Sequence, residues 1–121
     1  MPAAMTTVYH EQLAESYLLL LTPGKPVEPE HALDYSLSCA CQSGKPAVWV
    51  DCELVMTLSD QAARTLVAYH HKLQAQHQEM VLVHASEKIK EELLNRRQLP
   101  GLCFVPSLIE AAWQSGLRLV A

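Results

Sequence analysis

The chain has 121 residues, half of them hydrophobic and 18% charged, with a net charge of -4. That is one domain's length, with enough apolar content to build a core, so disorder is excluded. The acidic balance and the lack of a Lys/Arg cluster argue against a nucleic-acid partner, because phosphate binding needs clustered positive charge. The first ten residues lack the basic and apolar regions of a signal peptide, and the apolar run Leu18 to Leu21 falls far short of the roughly 20 residues a membrane helix needs. The expectation is a single cytoplasmic domain over residues 1–121 with no direct membrane insertion.

In chain order, Thr6 to Leu13 reads as a weak strand and Ser16 to Thr22 as an apolar one, covered on both faces or central in a sheet. Pro23 to Pro26 (PGKP) stops it. Pro29 suits the first turn of a helix running to about Gln42, with Leu33, Leu37, Ala40 and Cys41 in one inward stripe. Ser43-Gly44 ends that helix, and Ala47 to Cys52 (AVWVDC) is the next strand. A long helix follows from about Ser59 to Gln76, its stripe formed by Ala62, Leu66, Tyr69 and Leu73. Met80 to His84 is a strand. Ser86 caps a helix that turns Ile89 and Leu93 inward and ends before Pro100-Gly101. Leu102 to Val105 is a short strand. Ser107 to Glu110 matches the S-x-x-E capping box of a helix with Leu108, Ile109, Ala112 and Trp113 inward, closed by Gly116. The tail from Leu117 is left undecided between a strand and a loose dock. The order β-β-α-β-α-β-α-β-α gives an α/β fold, a mostly parallel sheet with right-handed crossovers whose first strand is free to pair antiparallel at an edge.

The chemistry-bearing residues are few. Four isolated glycines, Gly24, Gly44, Gly101 and Gly116, rule out both G-x-G-x-x-G and a Walker loop. His70 and His77, seven apart on the long helix, could share a face, but no further ligand completes a zinc set, so solvated surface histidines are expected. Cys39, Cys41, Cys52 and Cys103 lie in apolar segments without metal spacing, as buried free thiols do. Cys52 beside Asp51 is the best nucleophile candidate for a Cys or Ser hydrolase. Burial and the neighbouring carboxylate would raise its pKa and spoil it. No enzyme activity, cofactor or metal is expected.

What remains is the segment Val55 to Ala63, beyond the carboxyl end of the AVWVDC strand, where open parallel sheets carry their functional surfaces. Ser59 can cap the long helix, and Asp60 places negative charge in its first turn. Val55, Met56 and Leu58 have no such local explanation, and lie either in the core or in an interface.

These segments together resemble the STAS family, the domain of sulfate transporters and bacterial anti-sigma factor antagonists. YLLLLTPGKPVEPEHAL resembles the family's first core strand and turn, AVWVDCELVMTLSD its Asp-ending strand and loop, and TLVAYHHKLQAQHQEMVLVHAS its long helix and following strand. KIKEELLNRRQLPGLCFVPSLIEAA resembles its closing helix, strand and Ser-initiated helix. The match runs from about Tyr17 to Ala112. The resemblance implies a STAS-like domain of a bacterial regulator that docks onto a kinase of the histidine-kinase-like ATPase type. In that family a Ser or Thr at the start of the long helix, in a D-S-S-G or D-T motif, is phosphorylated to break the complex. Here Ser59 stands where the family has Asp, Asp60 and Gln61 occupy the hydroxyl positions, and Ala62 replaces Gly. Asp60 is then a permanent charge in place of a phosphate, or Ser59 or Thr57 is the phosphoacceptor. The implied partner-binding surface comprises Thr57, Leu58, Ser59, Asp60, Gln61 and Arg64. The alternative is an accessory subunit contacting the ATPase of an ABC-type lipid transporter. Homo-oligomerisation is left open.

Overall fold

A computed structural model describes residues 5–12, 16–23, 29–94 and 102–114. Nine elements follow in order: β1 (Met5–Gln12), β2 (Ser16–Pro23), α1 (Pro29–Ser43), β3 (Ala47–Asp51), α2 (Asp60–Ala75), β4 (Glu79–Val83), α3 (Glu87–Leu94), β5 (Cys103–Val105) and α4 (Leu108–Gln114). They form one five-stranded sheet in the order β1-β2-β3-β4-β5. Strands β2 to β5 are parallel, and β1 lies antiparallel along β2 with a register irregularity between Met5 and Thr7. The Gly24 to Pro26 part of the turn, Pro100-Gly101, Gly116 and the tail from Leu117 lie outside the described residues, as do the side chains of Ala112 and Trp113. No described helix is long and apolar enough to cross a membrane.

Strand order explains the layering. When parallel strands follow one another in sequence, right-handed crossovers put every connecting helix on the same face. That face carries the main core: Tyr17, Leu19 and Leu21 of β2, Val48 and Val50 of β3 and Met80 and Leu82 of β4 meet the inward stripes of α1, α2 and α3. Each buried leucine stabilises the fold by roughly 2 kcal/mol relative to exposure. The opposite face shows the other half of the strand alternation, Ala47, Trp49, Val81, Val83 and Val105. Helix α4 is no crossover, so it is free to fold back and cover these residues with Ala111. Strand β2 is accordingly less covered there, and Leu18 and Leu20 are half-buried where Leu19 and Leu21 are fully buried.

The inward stripes of α1, α2 and α3 fall where their periodicity puts them. In α4 the inward face is shifted: Ala111 is fully buried and Ile109, expected inward, is 60% exposed. Cys41 and Cys52 are buried, while Cys39 and Cys103 are only half-buried; all four are free thiols.

The helix ends follow from local chemistry. Ser59 accepts a bond from the Ala62 amide at 3.0 Å and starts α2, Ser86 does the same for Ile89 at 3.1 Å, and Ser107 for Glu110 at 3.2 Å. Gly44, with φ +74°, turns the chain out of α1. Helix α2 ends differently. His77 takes the left-handed conformation (φ 63°), the Gln78 amide reaches back to the Leu73 carbonyl at 2.9 Å and the His77 amide to Gln74 at 3.1 Å. This is a Schellman motif with histidine where glycine is usual.

That ending corrects the histidine reading. His77 lies beyond α2, so the seven-residue spacing puts it on no common helical face with His70. Nor is His70 a surface group: it is 1% exposed, sealed among Leu66, Val67, Met80, Leu82, Leu93 and Leu102. A wider inward face than the four-residue stripe, including Ala63 and His70, brings it in.

Candidate functional site: the loop before α2

The segment between β3 and α2 leaves the sheet at its carboxyl edge, and the structure divides its residues sharply. Val55 and Leu58 turn inward and are buried in the main core. The placement of the Leu58 side chain on a recognition surface is therefore corrected: it anchors the loop from beneath. Met56 points the other way and is 77% exposed, and Leu54 is 52% exposed. Two large apolar side chains thus face solvent within three residues of one another, a few residues before the exposed Asp60, Gln61 and Arg64.

Helix α3 clamps this loop. The Glu92 carboxylate accepts the Thr57 hydroxyl on one oxygen at 2.5 Å and the Leu58 amide on the other at 2.9 Å. The Ser86 hydroxyl donates to the Met56 carbonyl at 3.0 Å while it caps α3. Hydrogen bonds to a carboxylate are among the stronger ones, so Met56, Thr57 and Leu58 are held in place from a helix some thirty residues away. The Thr57 hydroxyl is committed to this clamp. The Ser59 hydroxyl oxygen is committed to the Ala62 amide, from which it accepts.

The first turn of α2 is charge-matched. Asp60 lies at the positive end of the helix dipole and pairs with Arg64 one turn on, at 3.0 Å. The Thr65 hydroxyl returns to the Gln61 carbonyl at 2.9 Å. Deeper in the helix, the Tyr69 hydroxyl donates to Asp34 of α1 at 3.0 Å. Burial and that carboxylate push the tyrosine pKa up to about 12.

Cys52 lies at the root of the loop, buried, its thiol within 3.8 Å of the Val50 carbonyl. Burial first, and the Asp51 charge second, push its pKa up to about 12. It stays protonated near neutrality, which removes the thiolate that nucleophilic chemistry requires. Next to it, at the ends of β3 and β4, Asp51, Glu53 and His84 bring three potential metal-ligating atoms within 4.8 Å of one another.

Of the residues expected in the site, Asp60, Gln61 and Arg64 are exposed, and Thr57 and Ser59 are half-buried. Ser86, Glu92 and His84 were not anticipated in it. Glu92 and Thr57 lie 35 residues apart, and no local pattern links them. Asp51 and His84 could have been paired from sequence, since AVWVD and MVLVH end neighbouring parallel strands with Asp51 opposite Val83.

No protein-family model matches the sequence, and no curated protein matches it. Solved structures do. A serine-to-glutamate variant of RsbS from Moorella thermoacetica is similar at a TM-score of 0.77 and 10% identity, over 90% of this chain and 94% of that one. An anti-sigma factor antagonist from Mycobacterium paratuberculosis is similar at a TM-score of 0.75 and 16% identity, over 91% and 93%. SpoIIAA, an anti-sigma factor antagonist in its unphosphorylated form, is similar at 0.73 and 10%, over 93% and 99%. The chain therefore has the STAS fold, the fold of the anti-sigma factor antagonists.

Proposed function

We propose that the chain is a non-catalytic interaction domain of the anti-sigma factor antagonist kind, docking through the loop before α2 and that helix's first turn. The observation that carries this reading is the division within the loop. Leu54 and Met56 are exposed apolar side chains, Met56 on backbone that Glu92 and Ser86 fix through Met56 and Leu58, and the Asp60–Arg64 pair follows a few residues on. A preorganised apolar anchor rimmed by charge is what association rewards, since little conformational entropy is lost on docking. The partner class is an ATPase-type anti-sigma kinase, supported by the fold shared with antagonists of anti-sigma factors.

The degenerate motif bears on regulation. A phosphate on Thr57 would lose its donor bond to Glu92 and set a dianion against that carboxylate. A phosphate on Ser59 would sit at a helix amino terminus, where negative charge is favoured, with the exposed Asp60 opposing it. Ser59 is thus the better acceptor of the two, and Asp60 supplies part of that charge permanently.

Affinity capture with the intact protein, followed by titration calorimetry on the captured ATPase, tests the reading. A kinase of the anti-sigma type should bind, and Met56→Asp with Asp60→Arg should weaken it at least about tenfold with an unchanged circular dichroism spectrum, as expected for a central apolar anchor. Recovery of a membrane transporter's ATPase would redirect the partner to the transport class. Full affinity in the double variant would remove this surface from the interface.

A further inference from the structure

At the carboxyl edge of the sheet, next to the loop but independent of any docking role, three donors come from separate positions: Asp51 ends β3, Glu53 follows it by two residues, and His84 follows β4. His84 Nδ1 lies 3.0 Å from Asp51 Oδ1 and 3.8 Å from Glu53 Oε1. All three atoms carry lone pairs and lie within 4.8 Å of one another, an arrangement that a shared hydrogen or a cation stabilises. A proton on Nδ1 satisfies Asp51 but leaves Glu53 beyond hydrogen-bond reach.

From these distances we propose that Asp51, Glu53 and His84 form a binding site for a first-row divalent metal ion, with Zn2+ as its best-matched member. Bonds of about 2.0–2.2 Å to nitrogen and oxygen in tetrahedral array put ligand atoms roughly 3.3 Å apart. The two separations to His84 bracket that value. An imidazole with two carboxylates suits zinc and its neighbours better than magnesium or calcium, which prefer all-oxygen sets.

The supports differ in a useful way. Asp51 is only 8% exposed at its side chain and is fixed by the Glu53 amide, which donates to its Oδ1 at 2.9 Å. The His84 backbone is fixed by its amide, which donates to the Val105 carbonyl at 3.1 Å. Glu53, 63% exposed, has the freedom to close the last fraction of an ångström. Protein ligands number three, and a cleft of about 500 Å3 lined by His84, Ala85, Lys90, Phe104, Val105 and Pro106 opens beside them. A fourth position would be filled by water or an external ligand from that cleft, the arrangement of an open zinc site. Lys90, the cation lining the cleft, pairs with Glu87 at 3.4 Å, so its charge is partly offset.

Titration calorimetry of ZnCl2 into the reduced, intact protein tests the site, with Co2+ absorption as a second readout. One ion per chain should bind, and the cobalt spectrum should lack a thiolate charge-transfer band, separating this site from the half-buried Cys39 and Cys103. Glu53→Gln, at an exposed position that leaves the fold intact, should weaken binding roughly tenfold or more, and His84→Asn should remove it. Asparagine is chosen because His84 holds φ 58°, a region asparagine tolerates. The proposal is overturned by absent saturable binding, by a thiolate band, or by unchanged affinity in Glu53→Gln.

Discussion

The inner stripe of α2 and the loop that leads into it are consecutive in sequence, yet different physics holds them. The stripe is apolar, regular and non-directional: Ala62, Leu66, Tyr69 and Leu73 bury themselves because 3.6-residue periodicity turns them to one side. The loop is directional. Its backbone and hydroxyls are fixed by carboxylate and hydroxyl groups of α3, and its own apolar residues split between core and solvent. Interior packing therefore sets stability, while a few polar bonds set the shape of the outward surface. The two should respond to mutation on different scales.

The largest effect belongs to the stripe. Leu66→Ala should cost about 2–5 kcal/mol in chemical denaturation, because the residue is fully buried and its neighbours can collapse only partly. Alkaline pH should come next, acting on Cys52 and Tyr69 together. Both are neutral when protonated, and both hold their protons more tightly in the folded state. Their contribution is complete below pH 9 and is lost as pH rises, from 9 for Cys52 and from 10 for Tyr69, up to about 12. Cys52→Ala should delay the onset of that decline by about one pH unit, read from midpoints of urea denaturation across pH.

Breaking the clamp comes third. Glu92→Ala leaves the Leu58 amide and the Thr57 hydroxyl without their acceptor, at a cost of about 1–3 kcal/mol. Faster hydrogen exchange at Leu58 should accompany it, with the interior of α2 still protected. Exchange rising equally across Leu66 and Leu73 would show that loop and stripe unfold as one unit. Ser59→Ala removes only the cap, about 1 kcal/mol by thermal denaturation.

The same contrast explains what could be read from the sequence. Periodic burial repeats within a window of a dozen residues, so Leu33, Leu37, Ile89 and Leu93 were legible, as were the serine caps at 59, 86 and 107. Ile109 was misplaced because a two-turn helix offers too few repeats to fix its phase, and Ala111 carries the burial instead. His77 misled because a left-handed histidine ends α2 where glycine would have announced the stop. The proposed surface role of Asp60 and Arg64 rests on family resemblance, while the Glu92 and Ser86 contacts join positions about 30 to 35 residues apart and leave no trace in local pattern. Directional contacts of that kind require the fold first.

The smallest stability effect should fall at the Asp60–Arg64 pair, and it separates the two roles most cleanly. Both side chains are exposed, so solvent screens their attraction and side-chain entropy opposes it; Arg64→Ala should cost no more than about 0.5 kcal/mol. That residue of stability should vanish in high salt, since exposed charges at this range are screened by the ions. Affinity for a partner should follow the opposite course. If the first turn of α2 is a recognition face, removing Arg64 takes one positive charge from it, and the association rate should change by a salt-dependent factor while the melting temperature moves by no more than about 3 °C. Stopped-flow association at two salt concentrations, set against melting curves of the same variant, distinguishes a pair that serves the helix from one that serves the surface.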